Sequence, residues 1–479
     1  MGLKVNIQNY KSIQNATIEL RSGLNILIGP NGSGKTCLLS SLKFLRDVFR
    51  IGAAQALARQ GGARRVYHRG SSNIGFSFSQ SYGERTYHLK KIPTLFHWEI
   101  SISQSGPEKI ATIIKERIEI NGVLNDKKVR LFSTIIIRKP NKIPRIKTYL
   151  CSPSEFGRDL FSSWKNDYYG KNKQQISEHA FKAKYFSEVI ETLKAEPDRS
   201  YFPIIAMFDD VFGEIYSNLF FLNEYNIIPE VARSSTEQLP FAQMSPDGGA
   251  VSEVIDSLEK KRYNKFEQLR FIEMEESYQF PPIFRNYRLS TFFGRSPVRF
   301  LFIRRRRDTI YKNALENINK ELSAAVKPII NVSVSIDQTN GRRFVVFKTE
   351  DTIFFPEEVS DGTIKWLCIL VSLFVPFTQV YLLEEPENFL HPWMQQRLIK
   401  IMREQSKTNG TIFLLSSHSS TILNGAYPEE VLIVKQTDRG TKISEMSDLD
   451  EIKNVLSESD FHVGDLWVSG AIGGVPSDD

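Results

Sequence analysis

The residues best suited to chemistry begin with Gly29-Pro30-Asn31-Gly32-Ser33-Gly34-Lys35-Thr36, which fits the pattern G-x-x-x-x-G-K-[ST] in full. Such a loop turns its backbone N–H groups inward as an anion nest. Where it opens a helix, the macrodipole adds to the attraction for phosphate. Glycine is needed where the chain takes positive φ or passes close to the phosphates. Lys35 can reach the β- and γ-phosphates, and the Thr36 hydroxyl can ligate Mg²⁺. ATP with Mg²⁺ is the expected ligand pair.

A second element, Val380-Tyr381-Leu382-Leu383-Glu384-Glu385-Pro386-Glu387, runs four apolar residues into paired carboxylates. Glu384 is expected to hold Mg²⁺ through water or together with Thr36. Glu385 is expected to polarise the attacking water, as a general base or a water-orienting group. Ser417-His418-Ser419 follows an apolar run, and a histidine at a strand's C-terminal end can contact a γ-phosphate and sense its loss. Val359-Ser360-Asp361-Gly362-Thr363 precedes a helical pattern, and a Ser-x-Gly turn opening a helix is a second phosphate-binding terminus. Taken singly these are an acidic turn, a hydrogen-bonded histidine and a helix N-cap. Their order behind the glycine loop favours the functional reading.

Positioning these groups takes strands that end along one edge. Leu24 to Ile28 reads as a buried strand, and Cys37, Leu38, Leu39, Leu42, Leu45, Val48 and Phe49 recur at helical spacing behind the loop. Leu3, Val5, Ile7 and then Ala16, Ile18, Leu20 alternate as two earlier strands. Gly70 to Ile137 is a series of short β-rich pieces, read as a meander on the first lobe. Pro140 to Pro153 is basic and carries three prolines, a boundary signal. Cys151 to Lys194 reads as a mostly helical insertion. Helices are predicted around Val251–Leu258, Ile310–Val326, Trp366–Phe374 and Trp393–Gln405, and a hairpin across Asn340-Gly341. Strands are predicted at Val380–Leu383, Thr411–Ser416 and Val431–Lys435. Strands alternating with helices at both ends imply one sheet assembled from both ends of the chain.

A chain of 479 residues can bury a large core and hold more than one folding unit. Its net charge of +7 permits nucleic-acid binding without establishing it. Arg304 to Arg307 and the set Arg138, Lys139, Lys142, Arg145, Lys147 are the densest basic stretches, and such runs are commonly solvated faces. No apolar run approaches the roughly 20 residues that cross a bilayer. The start lacks the basic and apolar segments of a signal peptide, and Asn6 breaks a myristoylation pattern. Cys37, Cys151 and Cys368 are too dispersed for a metal pair. A reduced, cytoplasmic protein without membrane attachment is expected.

The set GPNGSGKT, VSDGTIKWL, VYLLEEPENFLHP and SSHS resembles the ABC-class ATPases related to RecF, SMC and OLD proteins, and in particular the predicted ATPases of the AAA-21 type. The opening NYKSI is similar to that group's first strand motif, which implies that Lys11 and Ser12 approach the nucleotide. The weaker echoes RQGGARRVYHRGS, MSPDGGAV and GDLWVSGAIGGVP extend the resemblance over most of the chain, with Pro140 to Lys194 least familiar. The implied fold class is α/β, an ABC-type P-loop NTPase head with a mixed sheet, an antiparallel β subdomain and a helical insertion. The implied segments are 1–139 (first ATPase lobe), 140–330 (mostly helical insertion or lever), 331–445 (second lobe) and 446–479 (tail, with Trp467 either packed or a docking anchor).

The resemblance also implies a mechanism in two chains. Subunits would pack head to tail as a homodimer, with Ser360, Asp361 and Gly362 acting in trans on ATP held by Asn31 to Thr36, and Asn388 to His391 forming the D-loop. Glu384 stands where the usual aspartate would be, and SDGT replaces the transporter signature LSGGQ, which argues against a transporter. A glutamine of the Q-loop has no clear place; Gln80 and Gln104 are guesses. Fewer than about 50 residues follow Val434, short of the roughly 100 a nuclease domain would occupy. The implied function is an ATP-gated switch in DNA repair or antiphage defence that controls a separate nuclease or effector, with DNA as a further partner. The alternatives are a RecF/SMC-like DNA-binding repair ATPase without a dedicated effector and, less well matched, a transporter subunit.

Overall fold

Strands contributed by both ends of the chain lie side by side in the computed structural model. It describes residues 2–473 apart from 88–89, 106–109, 125–126, 140–141, 143, 151–196, 203–221, 240–241, 263–310, 312, 376–379 and 439. The central sheet has six strands in the order β16-β15-β3-β14-β13-β9. Its members are β3 (Gly23–Ile28), β9 (Asn223–Tyr225), β13 (Val380–Glu384), β14 (Ile412–Ser416), β15 (Val431–Thr437) and β16 (Gly440–Glu445). All pairings are parallel except that of β16 with β15. Parallel strands covered on both faces read as continuous apolar runs, which is why Leu382, Leu383, Phe413 to Leu415 and Leu24 to Ile28 lack alternation.

The second sheet is antiparallel and seven-stranded, ordered β2-β1-β4-β5-β6-β7-β8. It comprises β1 (Gly2–Tyr10), β2 (Ile13–Arg21), β4 (Asn73–Tyr87), β5 (Lys90–Ser105), β6 (Ile110–Leu124), β7 (Lys127–Ile137) and β8 (Arg145–Leu150). Here alternation is clear: Leu3, Val5 and Ile7 are buried while Lys4 and Gln8 are exposed. The pieces read as short in the sequence are long strands interrupted by bulges, between Tyr82 and Glu84 and between Ser101 and Ile102. A third sheet of three strands holds β10 (Asn331–Ile336), β11 (Arg343–Lys348) and β12 (Ile353–Phe354).

Helix α1 (Lys35–Ile51) separates the two larger sheets. It is followed by α2 (Ala53–Arg59) and α3 (Ala63–Val66). Leu38, Leu39, Leu42, Leu45, Val48 and Phe49 of α1 sit in one core cluster with Phe76, Phe78, Trp98 and Phe202. The other cluster lies on the opposite face of the central sheet. It packs α4 (Pro229–Arg233), α5 (Val251–Glu259), α6 (Ala314–Ala325), α7 (Asp361–Phe374), α8 (Pro392–Asn409), α9 (Ser420–Asn424), α10 (Leu449–Glu458) and α11 (Val463–Val468). No helix among the described residues is long and apolar enough to cross a membrane.

Two expectations change. The proline-rich stretch does not end the first lobe at residue 139, because β8 pairs with β7 from Phe132↔Leu150 to Ile137↔Arg145. The segment 140–330, read as a mostly helical insertion or lever, also contributes described elements to the central sheet and the second core. Strand β9 lies beside β13, and α5 and α6 pack in the second core. The aromatic stretch Cys151 to Lys194 and the arginines 304–307 lie outside the described residues. Trp467 is half-buried against the second core, the packing alternative of the two read for the tail.

Candidate functional site

Strand β3 ends at Ile28 and the glycine loop turns directly into α1. Gly29 (φ +153°) passes so close to β15 that a Cβ there would collide with the Val434 carbonyl. Gly34 (φ +107°) is the helix N-cap, and a Cβ there would strike the Thr441 side chain. Neither position tolerates a side chain. The loop closes with Ser33 N–H donating to the Pro30 carbonyl at 3.2 Å. Asn31 and Gly32 form its exposed crest.

Lys35 is buried, and its Nζ donates to the carbonyls of Gly29 (2.7 Å) and Pro30 (3.1 Å). Burial pushes its pKa down, while Glu385 and Glu384 oppose that shift. Ser33 Oγ is buried and has no hydrogen-bond partner among the described residues. A buried hydroxyl without a partner is costly unless something arrives to satisfy it. The orphan hydroxyl, the lysine folded back on its own loop and the Cβ-free cradle all fit a phosphate chain. Thr36 Oγ1 donates to Glu384 Oε1 at 2.5 Å, so the hydroxyl and carboxylate suited to Mg²⁺ already converge.

Glu385 takes the left-handed conformation (φ +45°), held by its N–H donating to the Ser416 carbonyl at 3.0 Å. Asn388 Nδ2 donates to Glu385 Oε2 at 3.0 Å, and His418 Nε2 lies 4.0 Å from Glu385 Oε1. Burial lowers the His418 pKa, and Lys35 lowers it further. The carboxylates of Glu385 and Glu387 oppose that shift. His391 serves as the N-cap of α8, accepting from Trp393 N–H at 3.3 Å.

The remaining expected residues sit at two margins. Lys11 (φ +48°) donates to Ser40 Oγ and Gln60 Oε1, both at 3.1 Å, one turn beyond Thr36 on α1. Ser12 Oγ is 3.2 Å from Thr441 Oγ1, the side chain that packs on Gly34. At the other margin Ser360 caps α7 by accepting from Thr363 N–H at 3.2 Å. Gly362 comes against the segment from Asn388 to His391, where a Cβ would collide with the Phe389 carbonyl. Gln80 lies in β4 opposite Leu3, and Gln104 in β5 opposite Ala111. Both belong to the antiparallel sheet.

Four residues of the site carried no sequence signal of their own. Thr441 buttresses Gly34. Glu387, quoted above only as part of a motif, accepts from Ser417 Oγ (2.7 Å) and His418 N–H (2.8 Å). Asn226 follows directly on β9, which pairs with β13 up to Tyr225↔Leu383, so it lies at the carboxyl edge of the sheet. Arg233 pins the Ser360 turn, pairing with Asp361 at 2.6 Å and donating to the carbonyls of Pro356 (3.0 Å) and Val359 (2.9 Å). Arg233→Ala is expected to lower stability by about 1.5–3 kcal/mol, because two carbonyls lose a charged donor. Asp361→Ala, whose carboxylate is 42% exposed, should lose less than about 1 kcal/mol. Urea unfolding of both variants checks the order, and equal losses would assign the pinning to the ion pair alone.

A family model described as AAA domain (AAA_23) matches residues 4–327, and one described as AAA domain, putative AbiEii toxin, Type IV TA system (AAA_21) matches residues 240–424. The DNA double-strand break repair Rad50 ATPase of Methanopyrus kandleri is 35% identical over 63 residues, which is 13% of this chain and 7% of that protein's length. Among solved structures, an SmcHead bound to the C-winged helix domain of ScpA is 12% identical, with 94% of this chain and 98% of that one covered at a TM-score of 0.45. The SMC head domain from Thermotoga maritima is 11% identical, with 93% and 100% covered at a TM-score of 0.35. With the AAA_23 match running through the larger part of the sequence, the chain belongs to this AAA-domain family, as an ABC-class ATPase of the RecF- and SMC-like kind.

Proposed function

We propose that this ATPase is an ATP-gated dimeric switch, in which two copies pack head to tail and each nucleotide lies between one copy's P-loop and the other's signature turn. The observation that carries the reading is the surface around the N-terminus of α7. Ser360 is exposed there, as are Phe355 (49%), Phe389 (64%) and Trp393 (44%) in the adjoining segments. Exposed large apolar side chains in the segments that flank and adjoin a helix N-terminus suit a surface that a second subunit covers. Ser360 caps Thr363 N–H, and the other first-turn N–H groups remain for an anion.

Within one site, Asn31 to Thr36 surround the phosphates, and Lys11 and Ser12 flank them. Thr36 and Glu384 would hold Mg²⁺, which would supply positive charge against the phosphates. Glu385, oriented by Asn388, accepts a proton from the attacking water. The water oxygen bonds to the γ-phosphorus, the bond to the β,γ-bridging oxygen breaks, and ADP and phosphate leave. His418 donates its N–H to the γ-phosphate and loses that contact after hydrolysis. His391 sets the exit of the D-loop at the interface.

Such a cytoplasmic switch would govern a separate effector, such as a nuclease, in DNA repair or antiphage defence. The short likeness to a Rad50 described as a double-strand break repair ATPase favours a second reading, direct action on DNA without a dedicated effector. Mixing Lys35→Ala and Ser360→Arg subunits tests the shared site. Each variant alone should be inactive, while a mixed dimer has one intact site and should recover up to about half the activity per dimer. Confirmed mixed dimers without recovery would place a complete site within one chain.

A further inference from the structure

Glu387 stands apart from the paired carboxylates and is almost wholly buried, at 9% exposure. Its Oε1 accepts two bonds from the Ser417-His418 segment, at 2.7 and 2.8 Å. Its Oε2 is buried and accepts no hydrogen bond among the described residues. An ionised carboxylate in that setting needs compensation. A buried cation, Lys365, is 5% exposed and sits one turn inside the helix that begins at Asp361. Lys365 Nζ lies 3.5 Å from the Glu385 carbonyl and 5.7 Å from the centre of the Phe389 ring. Burial pushes its pKa down, and among neighbouring charges Glu387 opposes this most, ahead of Glu385. Glu387 thus holds the Ser417-His418 loop through one oxygen, and its charge acts on buried Lys365, whose ammonium reaches the carbonyl of Glu385 two residues earlier in the same turn.

We propose that Glu387 is a positioning residue that holds His418 toward the γ-phosphate and ties that loop, through buried Lys365, to the helix carrying the signature turn. The inference rests on the role assigned above to His418. Loss of the γ-phosphate contact would move the Ser417-His418 backbone, and with it the carboxylate that balances Lys365. The signature offered to the other subunit then depends on whether this subunit's phosphate is still present.

The test compares kcat, KM and the dissociation constant of a non-hydrolysable ATP analogue for Glu387→Ala, Glu387→Gln and His418→Ala, alone and combined. Glu387→Ala should lower kcat about 10- to 100-fold, since two hydrogen bonds to a charged group are lost, while analogue affinity stays within about twofold. Combined with His418→Ala it should cause little further loss, because the two act as a unit. Glu387→Gln retains an acceptor for Ser417 and His418 but removes the charge facing Lys365. Its kcat should therefore fall less than that of the alanine variant, while analogue-induced dimerisation weakens, and Lys365→Met in the same chain should restore the dimer.

Wild-type kcat in Glu387→Ala, with His418→Ala slow, overturns the proposal and leaves the His418 role standing. A fall in analogue affinity parallel to a fall in Tm, or full additivity with His418→Ala, also overturns it, because both mark a general packing role. Wild-type hydrolysis by His418→Ala removes the underlying reading itself.

Discussion

Glu385→Gln is expected to keep ATP bound and to lose its hydrolysis by about 10²- to 10⁴-fold, the range over which a positioned base acts. The substitution preserves an oxygen for the Asn388 amide, which donates to Glu385 Oε2 at 3.0 Å, so the D-loop keeps its contact. It leaves the Thr36–Glu384 pair untouched. What disappears is the capacity to accept a proton from water beside His418. With ATP trapped between two copies, the dimer should persist in light scattering under conditions where the wild-type protein returns to monomers. Phosphate release measured beside nucleotide binding separates the two effects. Hydrolysis at the wild-type rate would move the proton acceptor elsewhere, with Glu384 the next carboxylate in the chain.

Lys35→Ala should act one step earlier, on binding. In the structure its ammonium is satisfied by the carbonyls of Gly29 and Pro30, at 2.7 and 3.1 Å. Those bonds are replaceable by phosphate oxygens, which carry charge and make the stronger partners. Removing the charged donor should raise the dissociation constant for ATP about 10- to 100-fold, equivalent to roughly 1.5–3 kcal/mol. Isothermal titration with a non-hydrolysable analogue measures this directly. Unchanged affinity would mean that the backbone nest and Thr36 alone carry the phosphates, and that Lys35 acts only during turnover.

Much of this site can be read from residue order because its parts are local. The glycine loop needs only a strand, a turn and a helix within one short stretch, and each leaves its own signature in composition and period. Glu384 and Glu385 follow four apolar residues for the same reason, and Ser360 announces itself as a cap before an apolar helix. The order of strands and helices points to one sheet assembled from both chain ends and to a β meander on the first lobe, while the mixed sheet and antiparallel subdomain are what the family resemblance implies.

The rest depended on which strand lies beside which. Three-residue β9 has too little pattern to be recognised, yet parallel pairing with β13 brings Asn226 to the carboxyl edge. The prolines after Ile137 read as a boundary, but β7 had a free edge that Arg145 to Leu150 could fill. Ser12, Gly34 and Thr441 meet because β15 lies beside β3 and hairpins into β16, closing a gap of more than 400 positions in sequence. Arg233 finds the signature turn, and Glu387 finds His418, through tertiary packing of the same kind. A single charged residue has no period of its own, so its partner exists only once the sheet order has brought the two together.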